Sequence, residues 1–361
     1  MGILDRTQLH KEIGAIAVSA KRQGLDVAII IGKTKIQLDG VPIYETGFSQ
    51  RNWITKILDP IISLKHALHE NPEYCLLYNI ENYGNIILII VLKLFRKIFS
   101  PSSRNVKILI KADTDGSFVN NTSRLTLLIY RVLIYCYSKI TGGILVETNC
   151  ALEKIMEFTG NKSGLFYLPD GYFDDIIRPV PYEMKKRLVV CVARIVHTKN
   201  LEAVVRLYNR ISNVYMDVNF KIIGSNEDQN YFDKLKRLIL QMNMQNEIEF
   251  ETATYEQLSE ILAQAYVSVS MSLKESFGIA RMESLGSGTP VVTYDVGCGN
   301  DFVNFGAIVV PIGEEDSMFS EVSKLLSNES YWKEKCKNAS RSAISWHSVV
   351  QRMIYLFETC N

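Results

Sequence analysis

An α/β fold of two doubly wound parallel-sheet domains is predicted by three observations on this 361-residue sequence. Short aliphatic runs alternate with amphipathic stretches, the alternation starts again past the middle of the chain, and prolines and a glycine cluster where it restarts. Strands covered by helices on both faces read as continuous apolar runs, so this rhythm means a parallel sheet with crossover helices. With 47% apolar and 22% charged residues, the chain is long enough for two ordinary cores.

The elements follow in order. In the first half, residues 27–31, 75–80, 106–110 and 143–146 are the apolar runs expected as strands. The segment from Leu168-Pro169-Asp170-Gly171-Tyr172 to Pro179-Val180-Pro181 punctuates the chain as a linker. Beyond it, strands are expected at 188–193, 220–223, 248–250, 267–270 and 290–294, with helices at 200–211 and 229–241. The expected division is a first domain over 1–175, a second over 183–340, and a closing helix within 341–361.

Lysine plus arginine number 40 and aspartate plus glutamate 39, so no global field selects nucleic acid or an acidic polymer as a partner. The seven cysteines form no Cys-x-x-Cys pair and mostly sit in apolar runs, as reduced thiols do in a cytoplasmic protein. The first residues lack the apolar core of a secretory signal, and the longest apolar run, 86–92, is too short to span a bilayer. Two stretches, 86–99 and 124–139, interleave lysine and arginine with large apolar residues. They read either as core helices with cationic last turns or as basic amphipathic helices for an anionic membrane surface.

The chemistry gathers in the second half. Residues 274–292, KESFGIARMESLGSGTPVV, follow a strand and pass through a helix of small residues into another strand. The turn at 276–278 then sits at a helix N-terminus, whose free amides favour phosphate. Glu275 in the turn and Glu283 in the helix are placed to face one cleft, where a carboxylate accepts sugar or ribose hydroxyls; the plain reading of Glu283 is a capping or solvated helix residue. A second constellation, residues 191–201, CVARIVHTKNL, is a strand running into a loop that carries Arg194 and Lys199 before a helix. Two such cations at the mouth of a parallel sheet suit a diphosphate.

Together these segments resemble the retaining glycosyltransferases of family four, which have the GT-B fold. The resemblance is carried by Leu-Pro-Asp-Gly-Tyr at 168–172, Ala-Arg with Lys-Asn at 193–200, Ile-Ile-Gly at 222–224, Glu-Ser-Phe-Gly with Glu283, and Gly-Thr-Pro-Val-Val at 288–292. It covers nearly all of the second half, while in the first half only the strand-helix rhythm matches. It implies two Rossmann-like domains facing a central cleft and transfer of a sugar from a nucleotide-diphosphate sugar to a glycan or lipid-linked acceptor. It further implies that Arg194 and Lys199 hold the donor diphosphate, that Gly224 belongs to the donor-binding edge, and that Glu275 contacts the transferred sugar. Amides at Phe277, Gly278 and Ile279 would line the sugar and phosphate, Glu283 would take the ribose, and the final helix would return to the first domain. Side-chain cations and a helix N-terminus would offset the leaving diphosphate, so neither a metal nor another cofactor is expected.

The sequence departs from the family pattern twice. The opening strand and glycine-rich loop look short or missing, and the first-domain position usually held by a histidine reads Lys111-Ala112-Asp113-Thr114-Asp115. Asp113 is the expected replacement, bonding a sugar hydroxyl. The same Asp-x-Asp also resembles the metal motif of the other transferase fold, and its plain reading is an Asx-turn closing a strand. Two further classes stay open: a binding or scaffold subunit of the same fold, and an NAD-dependent oxidoreductase, against which no Gly-x-Gly-x-x-Gly follows a strand.

Overall fold

The computed structural model describes residues 12–31, 37–38, 40–47, 55–78, 80, 84–99, 106–112, 114, 123–160, 163–244, 247–297 and 299–359. The chain divides into two compact units, residues 1–169 with 346–361, and residues 170–345.

In the first unit, α1 (Glu12–Arg22) leads to a parallel pair, β1 (Ile29–Ile31) and β2 (Ile43–Glu45), followed by α2 (Thr55–Glu70). Then β3 (Tyr74–Tyr78), α3 (Gly84–Phe99), β4 (Lys107–Ala112), α4 (Arg124–Ile140), β5 (Gly143–Val146), α5 (Asn149–Thr159) and β6 (Leu165–Tyr167) alternate strand and helix. The four strands β3-β4-β5-β6 lie side by side in chain order, all parallel. Ile108, Ile110, Ile144 and Val146 point into a core closed by Ile89, Leu92, Leu133, Ile134 and Tyr137 from α3 and α4. The last helix, α13 (Trp346–Thr359), belongs to this unit, packing on α1 and setting Phe357 5.0 Å from Tyr74.

The second unit begins with residues 170–181, which pack within it: the Tyr172 amide donates to the Ile344 carbonyl, 3.1 Å away. Its elements are β7 (Leu188–Val192), α6 (Leu201–Ser212), β8 (Asn219–Ile223), α7 (Gln229–Gln241), β9 (Ile248–Glu251), α8 (Tyr255–Gln264), β10 (Val267–Ser270), α9 (Ile279–Gly286), β11 (Val291–Tyr294), α10 (Gly299–Asn304), β12 (Ile308–Val310), α11 (Glu315–Ser327) and α12 (Glu329–Ser342). All six strands are parallel, in the order β12-β11-β10-β7-β8-β9. Two-residue periodicity sorts β7 between two cores, with Val189 and Cys191 under α6 and Leu188 and Val190 against Leu262 of α8.

That order places a topological switch point between β7 and β10. The chain lays β8 and β9 outward on one side of β7, then returns to lay β10, β11 and β12 outward on its other side. The crossovers before and after this reversal therefore lie on opposite faces, and the loops leaving the carboxyl ends of β7 and β10 come side by side at the switch point.

Candidate functional site

The loops leaving β7 and β10 hold most of the residues singled out in the sequence. After β7 the backbone forms a 3-10 turn over His197–Lys199, and Asn200 ends it in the left-handed conformation with φ 51° as N-cap of α6. Asparagine tolerates that conformation better than most residues. Its amide group donates to the Met271 carbonyl at 3.1 Å, and the Leu273 amide donates to the Thr198 carbonyl at 2.8 Å, so the two loops are bonded together.

Across this joint, Lys199 Nζ stands 2.6 Å from Glu275 Oε1, and the Ser272 hydroxyl donates to the same oxygen at 2.8 Å. Both charged side chains are nearly buried, 14% and 13% exposed. Burial pushes the Glu275 carboxyl up, but the Lys199 and Arg281 charges and the bonds from Lys199 and Ser272 outweigh it and hold the group below its usual range. Arg194 is differently placed. Its guanidinium lies half-exposed and pairs with Glu227 at 2.6 Å, beside Ser225.

Glycines set the spacing. A Cβ on Gly224, at the end of β8, would fall 2.0 Å from the Ala193 carbonyl oxygen, and one on Gly297, after β11, would fall 2.1 Å from that of Glu275. Backbone thus meets backbone on either side of the two loops. Gly278 takes φ 89° as N-cap of α9, a left-handed turn that brings the chain from Glu275 into the helix, and Ile279 is the first helical residue. Phe277 is buried against Phe302 at 5.0 Å.

Glu283 lies in the second turn of α9, 5% exposed, where the sequence also allowed a solvated residue. Burial pushes its carboxyl up to about 7, against the downward pull of a bond from the Tyr255 hydroxyl. Tyr255 opens α8 behind a capping box of Thr254 and Gln257, and its oxygen also accepts from the Phe173 amide at 3.5 Å. Small residues let α9 sit this deep: a Cβ on Gly286 would come within 2.5 Å of the Tyr172 ring.

Glu275 and Lys199 are therefore brought into direct contact, Gly278 and Ile279 begin the adjoining helix, and Glu283 follows on its second turn. Arg194 pairs with Glu227 instead. Asp113 and Asp115 lie outside the described residues. Sequence reasoning missed Ser272, Tyr255, Arg281 and Glu227; of these, only Ser272 had a local signal, a hydroxyl three residues before Glu275. His197 is a neighbour of this loop, its ring 5.7 Å from that of Tyr231.

An ionised carboxylate beside an ammonium group and a helix N-terminus can accept hydroxyls and neutralise phosphate within one small region. Residues 173–346 match the family described as Glycosyl transferases group 1. The poly(glycerol-phosphate) alpha-glucosyltransferase of Bacillus subtilis is 31% identical over 151 residues, 41% of this chain and 22% of that protein. The GtfA subunit of the UDP-N-acetylglucosamine–peptide N-acetylglucosaminyltransferase of Streptococcus agalactiae is 21% identical over 277 residues, 73% of this chain and 51% of that one. The chain thus spans about half or less of these relatives' lengths. Among solved structures, Anabaena Alr3699/HepE in complex with UDP-glucose superposes with a TM-score of 0.71 over 97% of both chains at 13% identity, a likeness of fold. Residues 173–346, just under half of the chain, thus match the glycosyl transferases group 1 family, and the fold is that of the GT-B glycosyltransferases.

Proposed function

We propose that this protein transfers a hexose from a nucleotide-diphosphate sugar to an acceptor hydroxyl, with retention, in polysaccharide, glycolipid or lipid-linked glycan synthesis. The observation that carries the reading is the Lys199–Glu275 pair, nearly buried at the switch point beside the start of α9. In this reading Lys199 and Arg194 neutralise the diphosphate. Arg194 leaves Glu227 at little cost, since pairs this exposed contribute about 0–1 kcal/mol. Amides of Phe277, Gly278 and Ile279 line the phosphate and sugar, Gly224 lets the donor-binding edge close onto the Ala193 backbone, Glu275 accepts the sugar's hydroxyls and Glu283 those of the ribose. The acceptor hydroxyl attacks from the face the diphosphate leaves, and the departing phosphate oxygen takes its proton. Asp113 serves a sugar hydroxyl from the first unit, and no metal is required.

A thermal-shift panel of nucleoside diphosphates tests the reading, because a ligand at one hundred times its dissociation constant stabilises by about 2.7 kcal/mol. A flat response to every nucleotide rejects it. Activity is expected to survive EDTA; loss restored by manganese or magnesium would make Asp113 and Asp115 metal ligands. A second reading, a binding or scaffold subunit, is favoured by the relative that is named as a subunit. Hydrolysis of the donor by the pure protein separates the two.

The reading extends to place: a cytoplasmic protein that rests on an anionic membrane and meets a lipid-linked acceptor there. None of the described helices is long and apolar enough to cross a membrane. On α4, however, Leu125, Leu128, Val132 and Tyr135 are each more than half exposed, and neighbouring α3 exposes Ile87, Ile90, Leu94 and Phe95. Lys97, Arg131 and Lys139 stand exposed among them, and a pocket of about 240 Å³ opens beside Leu128, Arg131 and Tyr135. Apolar side chains interleaved with cations complement an anionic lipid surface.

A further inference from the structure

The first turn of α9 holds a residue that helix physics disfavours. Arg281 is its third residue, and a cation there opposes the positive end of the helix dipole. It is also only 3% exposed, and burying a charge is costly unless bonds replace its water. An apolar residue in the same place would carry neither penalty.

Its contacts converge on the turn that precedes the helix. Nη2 donates to the Phe277 carbonyl, Nη1 donates to the Thr293 hydroxyl at 3.3 Å, and the guanidinium carbon lies 4.2 Å from the centre of the Phe302 ring. A Cβ on Gly278 would fall 2.6 Å from Nε, so the bare glycine lies flat against the guanidinium. In a trans peptide the C=O and the following N–H point in opposite directions. Tying the Phe277 carbonyl down to Arg281 therefore turns the Gly278 amide away from the core.

We infer that Arg281 is a positioning residue of the donor loop: its guanidinium fixes the 277–278 peptide so that the amide is preset for a phosphate oxygen, and it adds buried positive charge beneath that point. The inference rests on the proposed donor reading. Its charge also reaches Glu275, whose carboxyl it helps Lys199 to keep ionised. The two penalties at Arg281 are then the cost of a cradle formed before the ligand arrives.

The test compares Arg281→Met, which keeps length and drops charge, with Arg281→Lys, by hydrogen exchange of the free protein and by UDP binding. Arg281→Met is expected to melt no lower than the parent, to exchange its 277–279 amides about tenfold faster, and to bind UDP about tenfold more weakly or worse, as for a lost charge-assisted bond. Arg281→Lys should recover part of both. Unchanged exchange in this turn with unchanged UDP affinity overturns the inference, as does a loss of protection spread evenly over the second unit. Should Arg281→Met fail to fold, Thr293→Val keeps the cation and removes one anchor, and unchanged exchange there overturns it equally. If the parent protein binds no nucleoside diphosphate at all, the donor reading falls, and the exchange comparison still decides what Arg281 does.

Discussion

The sheet of the second unit reverses its strand order, whereas the four-stranded sheet of the first, β3-β4-β5-β6, runs straight through. Both carry charge at the carboxyl ends of their strands, with opposite outcomes. At the end of β4, Lys111 is fully buried between Glu12 of α1 and Glu147 after β5, with Nζ 3.2 Å from the latter. At the switch point Lys199 and Glu275 keep some exposure, and the loops around them are braced on each other. Buried charge at a strand end is thus no sign of a site in itself. What distinguishes the second unit is a reversal that leaves its charges within reach of solvent.

The hardest break should come from the closed cluster. Lys111→Met leaves two carboxylates without their cation and is expected to destabilise the protein by about 3–5 kcal/mol, leaving the response of the folded fraction to UDP unchanged. Thermal unfolding with and without UDP measures this, and a loss under about 1 kcal/mol would mean that water reaches the cluster.

Glu283→Gln should act in the reverse direction. The folded carboxyl is raised from 4.5 to about 7, so the native state holds a proton that the unfolded chain has released. Stability therefore falls as pH rises from 4.5 to 7, and above 7 the full cost of the buried charge is present. At about 1.4 kcal/mol per pH unit of displacement, the glutamine variant should gain about 3 kcal/mol at pH 8. It should also lose nucleotide affinity, whereas parent affinity rises through pH 7 as the carboxylate forms. A melting midpoint that does not rise in the variant would place water beside this side chain.

Lys199→Ala and Arg194→Ala sharpen the comparison within the site. Each is expected to weaken UDP binding by about 1.5–3 kcal/mol, the loss of one charge-assisted contact. Only Lys199→Ala should also lower stability, because Glu275 is nearly buried and Glu227 is not. Equal stability of the two variants would contradict the burial difference. The smallest effects belong to the first unit's surface, where each cation contributes roughly 1 kcal/mol at an anionic bilayer. Flotation with phosphatidylserine vesicles at low salt, reversed at high salt and weakened by Arg131→Ala, is expected; failure to float at either salt concentration would leave a soluble acceptor as the reading.

Elements with clean periods were legible from the sequence. Strand β10 at 267–270 and helix α7 at 229–241 fall where the pattern puts them, the latter started by Asp228, whose side chain accepts from the Tyr231 amide. The three-residue strands β2, β6 and β12 were not anticipated, since three residues cannot show alternation. In the site, Glu275 and Glu283 were visible because glycines and a strand frame them. Tyr255 and Thr293 were not, because what joins them to α9 is packing across the sheet, which leaves no spacing in the chain. Glu227 escaped for the same reason, so Arg194 looked freer than it is.

The close approaches at Gly224 and Gly297 have one more consequence. The frame of the site is set by main chain meeting main chain, at Ala193 and at Glu275, and no side chain mediates either contact. Side chains around that frame can change without moving it, so preference for a different base or sugar is open to retuning by ordinary substitutions. Replacing either glycine would shift the loops themselves, and no compensating side chain can restore a distance that only hydrogen fits. Mutational scanning should therefore find a site whose walls tolerate variety and whose two glycine hinges of contact tolerate none.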